Sequence, residues 1–124
     1  MPFNIEYDID QDCIFSTFIG EIDMPLVKEY IAALLPVLEA TKCRRVLSDS
    51  RQADLKLTSM DIMQFPKMAE DSPLTTNLKR AVLASPGTSG YELYETLSNM
   101  QGQNVQVFPT RGKALEWLLG GDPE

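Results

Sequence analysis

After two opening strands, the sequence alternates between helix-like and strand-like segments, and this alternation restricts the fold more than any other feature. Residues 3–8 alternate apolar and polar side chains, as a half-buried strand does. Residues 13–19 carry apolar or β-branched side chains on both faces, which indicates a more central strand. The polar turn Asp10-Gln11-Asp12 joins them, so the sequence predicts a β-hairpin.

The first helix is predicted from its cap and its apolar spacing. Asp23 is the predicted N-cap. The apolar positions that follow recur every three or four residues, at Leu26, Val27, Tyr30, Ile31, Leu34 and Leu35. Pro36 cannot donate a helical N–H, so we expect a kink or an early end there. Strand three is predicted at 46–50, followed by a polar, irregular segment at 51–57.

The same alternation continues through 58–84. Thr58 and Asp61 form a predicted capping pair for a short second helix, which Pro66 should disturb. Strand four is predicted at 78–84.

The last third of the chain adds two helices and one strand. Ser89 and Glu92 form a predicted capping box for helix three, which should end at Gly102. Strand five is predicted at 105–108, and Thr110 caps the final helix. The order β-β-α-β-α-β-α-β-α predicts an α/β fold with a five-stranded, mostly parallel sheet, four helices and right-handed crossovers. We find no repeat or linker and expect one domain over 1–124.

Charge and composition narrow the classes of partner. The 124 residues carry a formal net charge of −7 with only 11 Lys and Arg, so we expect no nucleic-acid partner, because such binding depends on basic contacts to phosphates. No apolar stretch approaches about 20 residues, so no membrane span is expected. The beginning of the chain shows no signal-peptide pattern. With only two cysteines, Cys13 and Cys43, a reduced cytoplasmic protein fits best.

The residues needed for common catalysis and metal binding are missing. The sequence contains no histidine, which removes Ser-His-Asp and Cys-His activation and the commonest transition-metal ligand. The spacing of Asp8, Asp10 and Asp12 resembles the start of a calcium loop. Cys13 and Ile19 stand where that loop needs glycine and glutamate, so an acidic turn is the better interpretation. We therefore expect that the protein has no catalytic residues, binds no metal or cofactor, and is not an enzyme.

The element order and the C-terminal sequence together resemble a known superfamily. Asn104-Val105-Gln106-Val107-Phe108-Pro109-Thr110, followed by Ala114-Leu115-x-Trp117-Leu118, is similar to the end of SpoIIAA-like proteins. That superfamily includes STAS domains and SEC14-type lipid-binding domains, and the likeness is strongest to a bacterial group of small stand-alone proteins. The resemblance implies a βα superhelix with the first strand paired as a hairpin.

The resemblance also implies a candidate regulatory site. STAS-type anti-sigma-factor antagonists carry Asp-Ser-Ser-Gly at the start of the helix after strand three, and one of those serines is phosphorylated. When strand three is aligned, Lys56-Leu57-Thr58-Ser59 corresponds to that motif in this sequence. Hydroxyls are present at Thr58 and Ser59, the candidate phospho-acceptors, whereas the aspartate and the glycine are absent.

A second candidate site lies where strand three ends. Open α/β sheets bind ligands outside the carboxyl ends of their strands, where we place Asp49, Ser50 and Arg51. Arg51 could hold a carboxylate or phosphate through two hydrogen bonds. The alternative is structural: Asp49 and Ser50 satisfy the backbone of the next loop, and Arg51 is solvated.

Two functions of different class are favoured. A third, an enzyme that uses Asp49 or a lysine of perturbed pKa, is the least supported, because no second catalytic group converges on it in the sequence. The first is a non-enzymatic regulatory or protein-interaction module of STAS-like type, which binds a partner protein or forms a homodimer. The second is a carrier or sensor of a small apolar, lipid-like ligand, which predicts a cavity of about 300 Å³ or more. Its candidate lining is aromatic or sulfur-containing: Tyr30, Phe65, Tyr91, Tyr94, Met100 and Trp117. At helical spacing such residues are also typical of an ordinary core.

Overall fold

One sheet organises the residues that the computed structural model describes, which are 2–70, 78–85, 90–100 and 103–120, with side chains described except at 65–70. Over these residues there are five strands and four helices. Their bounds are β1 Phe3–Asp8, β2 Cys13–Ile22, α1 Met24–Thr41, β3 Arg45–Leu55, α2 Ser59–Glu70, β4 Lys79–Leu83, α3 Tyr91–Met100, β5 Asn104–Phe108 and α4 Arg111–Leu119. The predicted α/β fold and element order are confirmed.

The strands lie side by side in chain order, β1-β2-β3-β4-β5. Strand β1 pairs with β2 antiparallel, with Phe3 opposite Phe18 and Asp8 opposite Cys13, which is the predicted hairpin. The pairs β2–β3, β3–β4 and β4–β5 are all parallel. Right-handed crossovers between successive parallel strands place their connecting helices on one face of the sheet.

Alternate residues of each strand therefore meet different helices. Val46 and Leu78 pack with Leu34 and Leu38 of α1, on the face that also carries α2 and α3. Leu47 instead packs with Leu118 of α4, on the opposite face. We call these the three-helix face and the α4 face. Side chains of a strand point alternately to the two sides, so this assignment extends along each strand as far as the register shift between β2 and β3, which lies between Thr17 and Ile19.

Helix α1 begins as predicted and extends further than predicted. The Asp23 carboxylate accepts a hydrogen bond from the Leu26 N–H at 3.0 Å, so the N-cap is confirmed. The helix continues through Pro36 to Thr41, and the predicted early end is wrong. Proline removes one backbone hydrogen bond there, but burial of Leu34 and Leu38 on either side of it favours the continuous helix.

Strand β3 is about twice as long as predicted. It runs over Arg45–Leu55, so the segment expected to be irregular is mostly strand. Its second half pairs with the extended end of β2, from Gln52 opposite Ile19 to Leu55 opposite Ile22. Strand β4 pairs with β3 only as far as Asp49, and beyond that point Arg51, Gln52 and Asp54 are exposed.

The remaining helix predictions have mixed outcomes. Helix α2 extends past Pro66 to Glu70, so the expected disturbance does not shorten it. The Thr110 hydroxyl caps α4 by accepting from the Lys113 N–H, as predicted. Ser89 and Gly102, the predicted cap and end of α3, lie outside the described residues. None of the helices over the described residues is long and apolar enough to cross a membrane.

Candidate functional site

A cavity of about 140 Å³ lies between the sheet and the helices of the three-helix face. Most of its wall is aliphatic. Its apolar lining includes Ile22, Val27, Ile31, Leu34, Leu35, Val46, Leu55, Ile62, Leu78 and Val82. Helices α1, α2 and α3 all contribute because each covers the sheet from the same side. The volume is about half of that expected for a lipid-like ligand, so the predicted size is wrong although a cavity is present.

Polar groups interrupt this apolar wall at a few points. Three tyrosines and two serines line it, namely Tyr30, Tyr91, Tyr94, Ser48 and Ser50. The Tyr30 hydroxyl lies 2.7 Å from the Ser16 hydroxyl, and burial raises the pKa of Tyr30. The Tyr91 hydroxyl is buried beside Ser50 without a hydrogen bond of normal geometry, and burial raises its pKa as well. Both phenols therefore stay neutral at ordinary pH.

Arg80 is the one cation that lines the cavity among the described residues. Its Nη1 donates to the Tyr94 hydroxyl at 2.9 Å, and its Nη2 donates to the Gln103 side-chain oxygen. The guanidinium carbon lies 5.8 Å from the centre of the Tyr94 ring. Its Nε is buried and has no hydrogen-bond partner. No described carboxylate lies within ion-pair distance of Arg80.

Arg80 was missed at the sequence level. The signal that could have identified it is its position inside a predicted buried strand, between Leu78 and Val82. A charged side chain in such a strand requires a partner or an opening, because burying an unpaired charge is costly. In the structure the same alternation sends Lys79 to the α4 face, where its ammonium lies 4.7 Å from the Trp117 ring centre.

The candidate triad at strand three does not form one site. It lies inside β3 rather than after its end, so its three side chains point alternately to the two faces. Ser50 faces the cavity, whereas Asp49 and Arg51 lie on the α4 face. Arg51 donates to the Asp49 carboxylate through Nε at 3.0 Å and Nη2 at 2.8 Å.

This ion pair explains the electrostatics of Asp49. The hydrogen bonds from Arg51 lower the pKa of the carboxyl group, against the opposing effect of its partial burial. The Nε and Nη2 donors of Arg51 are already used by Asp49. The structural alternative therefore fits Asp49 better than the binding hypothesis, although its partner is Arg51 rather than a loop.

Thr58 and Ser59 lie at the exposed start of α2. The Thr58 N–H donates to the Asp61 carboxylate at 2.9 Å, and the Asp61 N–H donates to the Thr58 hydroxyl at 3.1 Å. The predicted capping pair is thus confirmed. Ser59 is the first residue of the helix and is exposed.

Two of the predicted lining residues lie elsewhere. Met100 is 76% exposed, so it does not line the cavity. Trp117 packs on the α4 face, where its ring centre is 5.6 Å from that of Phe108. Helical spacing placed both residues on apolar faces but could not show which side of the sheet each helix covers. The side chain of Phe65 lies outside those that the structure describes.

The described residues contain no group of three or more Cys, Asp or Glu side chains that could hold a metal ion. Both cysteines are buried thiols, and burial raises the pKa of Cys13 to about 12. The cavity presents one cation and several hydroxyls in a mostly apolar wall.

The hairpin, the parallel strands in chain order and the arrangement of the helices define an α/β protein with a SpoIIAA-like fold. Comparison with solved structures supports this assignment over nearly the whole chain. A protein with a SpoIIAA-like fold from Shewanella loihica superposes with a TM-score of 0.65 at 15% identity, covering 94% of this chain and 91% of that chain.

Two anti-sigma factor antagonists share the fold. One, from Mycobacterium paratuberculosis, has a TM-score of 0.61 at 16% identity and covers 94% of this chain and 93% of its own. The other, SpoIIAA in its unphosphorylated form, has a TM-score of 0.59 at 14% identity, covering 98% and 99%. No protein-family model and no curated protein sequence matches the chain. At these identities the likeness establishes the fold.

Proposed function

We propose that the protein is a non-enzymatic regulatory module of STAS-like type, which binds a partner protein or a second copy of itself at the start of α2. The observation that carries this proposal is the exposed surface there. Met60 is 73% exposed and Met63 is 57% exposed, next to the exposed hydroxyls of Thr58 and Ser59. Two methionines three residues apart lie on one side of a helix, and methionine is enriched in protein interfaces.

The fold supports the same proposal. Two of the proteins that share it are anti-sigma factor antagonists, which act as regulators. The chain also lacks histidine, and its partly buried Asp49 is held by Arg51. A regulatory module needs a surface rather than a catalytic pair. Two buried thiols fit a reducing compartment, so we place this function in the cytoplasm.

A charge-introduction experiment tests the surface. We expect Met60→Glu with Met63→Glu to abolish self-association or the capture of a specific partner, while the free energy of unfolding changes by less than about 0.5 kcal/mol at these exposed positions. Met100→Glu is the matched control, because Met100 is 76% exposed on α3. Sedimentation velocity and crosslinking measure the outcome. Unchanged association in the double variant would contradict this docking surface.

Phosphorylation at the start of α2 is the regulatory step that we attach to this function. Ser59 is the better acceptor of the two, because the Thr58 hydroxyl already accepts from the Asp61 N–H. A phosphate on the first residue of a helix also interacts favourably with the helix dipole. Intact-mass analysis of the protein from its native cells, with Ser59→Ala for comparison, tests the assignment. A phosphate found only on other residues would contradict it.

The cavity favours a second candidate function, that of a carrier or sensor of a small ligand. Its volume of about 140 Å³ suits a molecule much smaller than a membrane lipid. Native mass spectrometry of the freshly purified protein tests for a bound molecule. We expect an added mass that disappears on denaturation and is absent from Ile31→Phe, a substitution that places a larger side chain in the cavity wall. Finding each of the two proteins only at its own apo mass would count against the carrier.

A further inference from the structure

We propose that the cavity selects a small monocarboxylate with an apolar body, and that Arg80 binds its carboxylate group. The inference rests on the second candidate function, that of a carrier or sensor, and specifies the ligand. Among the described lining residues, Arg80 is the charged one, and the fold leaves its hydrogen bonding incomplete.

The first argument is the state of the guanidinium. The partners of Arg80, the Tyr94 hydroxyl and the Gln103 amide oxygen, are both neutral, and its buried Nε has none. A partly buried cation without an anion is unfavourable unless an anion arrives. Arginine also presents a planar fork of donors that matches a planar carboxylate through two hydrogen bonds. A carboxylate that accepts from the remaining N–H groups of Nη1 and Nη2 would neutralise the charge.

The second argument is the charge that the cavity can accept. Arg80 is the only charged residue of its described lining, so the site neutralises one negative charge. A phosphate monoester carries close to two charges at neutral pH and would leave one of them in an apolar enclosure. The lining therefore favours a monocarboxylate over a phosphate.

The third argument is shape. An apolar cavity of about 150 Å³ accommodates benzene, and this cavity is close to that size at about 140 Å³. The aliphatic side chains of Val27, Ile31 and Val82 provide a wall for a ring or a short chain. We therefore expect an aromatic acid or a straight-chain acid of about six to eight carbon atoms.

The register of the sheet sets the direction in which such a ligand would lie. Arg80 is opposite Val46, and Ser50 lies four residues further along β3. At about 3.3 Å per residue, Ser50 is about 13 Å along the strand from the level of Arg80. The carboxylate would therefore lie at the Arg80 end, and the apolar body would extend towards Ser50 and Tyr91.

The test measures how ligand affinity changes when the charge is removed from the ligand and, separately, from the protein. Benzoate and its neutral isostere benzamide are titrated into the wild-type protein, and binding is followed by NMR chemical shifts and calorimetry. We expect benzoate to bind at least tenfold more tightly than benzamide. Arg80→Met should remove that preference while both ligands still bind weakly, and Ile31→Phe should weaken both together.

Each outcome has a separate meaning. Equal binding of benzoate and benzamide to the wild type would overturn the carboxylate assignment and leave the carrier function standing. Tighter binding of phenyl phosphate than of benzoate would overturn it as well. No binding of benzoate, hexanoate or benzamide at millimolar concentration would overturn both the assignment and the carrier function. If Arg80→Met does not fold, the comparison of ligands on the wild type decides the question alone.

Discussion

Arg80 on β4 donates a hydrogen bond of 2.9 Å to the Tyr94 hydroxyl on α3, and its guanidinium carbon lies 5.8 Å from the centre of the same ring. One tyrosine thus holds the cation through both its hydroxyl and its π face. This contact ties a strand to the helix that covers it. It also fixes the orientation of the charge in the wall of the cavity.

Tyr94→Phe tests how much the contact between Arg80 and Tyr94 contributes to stability. We expect a loss of about 1.5 kcal/mol in the free energy of unfolding, because a hydrogen bond to a charged, partly buried group is removed. Urea denaturation followed by circular dichroism measures it. Tyr7→Phe is the control, since the Tyr7 hydroxyl donates to Asp12 at 2.8 Å in an exposed hairpin. Its loss should be about 0.5 kcal/mol or less. Equal losses would contradict the role assigned to Arg80–Tyr94.

Thr58→Ala should cost about 1 kcal/mol of stability, because it removes the hydroxyl that accepts from the Asp61 N–H at the N-terminus of α2. Ser59→Ala is the matched control one residue later, where an exposed hydroxyl is removed from the first helical position. It should change the free energy of unfolding by less than about 0.5 kcal/mol. Thermal and urea unfolding measure both. A larger loss of stability in Ser59→Ala than in Thr58→Ala would mean that Ser59 is the cap.

Asp49→Asn should reduce stability at neutral pH and have little effect in acid. Arg51 lowers the pKa of the Asp49 carboxyl below its usual value in the folded protein. The resulting stability is fully present above the unfolded-state pKa of about 3.9 and is lost as the pH falls through the folded-state pKa. At pH 7 we expect a difference of up to about 1 kcal/mol, as for other partly exposed ion pairs.

Urea titrations at pH 7 and near pH 3 measure this dependence on Asp49. The exposed Asp54 provides the comparison on the same strand, as Asp54→Asn. A difference between wild type and Asp49→Asn that stays constant or grows on acidification would contradict the ion pair.

Two glycine substitutions should change the stability of the protein in opposite directions. Gly90 has φ of +98°, and a Cβ there would lie 2.7 Å from the Leu55 Cδ2, so Gly90→Ala should destabilise by about 1–2 kcal/mol. Gly112 lies in α4, and a Cβ there meets nothing within 4 Å. Gly112→Ala should therefore stabilise by about 0.5 kcal/mol through helix propensity. Melting temperatures of the two variants measure this contrast. A gain in stability from Gly90→Ala would contradict the positive φ at Gly90.

The two thiols should react only in the unfolded protein. Cys13 and Cys43 are buried, and burial raises the pKa of both, that of Cys13 to about 12. Because the thiolate is the reactive form, a chromogenic disulfide reagent at pH 8 should modify neither thiol in native protein and both in urea. Rapid native labelling of either cysteine would contradict its burial.

Much of the fold could be predicted from local sequence patterns. The hairpin, the parallel succession from β2 to β5 and the caps at Asp23, Thr58 and Thr110 all follow from side-chain period and capping chemistry within a few residues. These signals are local because a strand alternates every two residues and a helix repeats every 3.6. The full length of β3 was missed because its polar second half is held by backbone hydrogen bonds to β2, which need no apolar pattern.

The candidate site could be predicted less well, because it depends on contacts between segments that are distant in the sequence. Asp49, Ser50 and Arg51 were identified as one group because they are adjacent in sequence. The pleat of β3 separates them, so that Ser50 lines the cavity while the other two form an ion pair on the α4 face. Sequence reasoning recognised the residue types but placed them at the end of a strand that in fact continues.

The sequence by itself determined the element order, the α/β class and the absence of histidine-based chemistry, because these depend on composition and on short-range periodicity. Only the tertiary structure decided that Arg80 faces a cavity while its neighbour Lys79 lies over Trp117. Both are basic residues of one strand, and nothing local distinguishes them. The difference arises because α3 covers one face of β4 and α4 covers the other, and that packing depends on residues far apart in the chain.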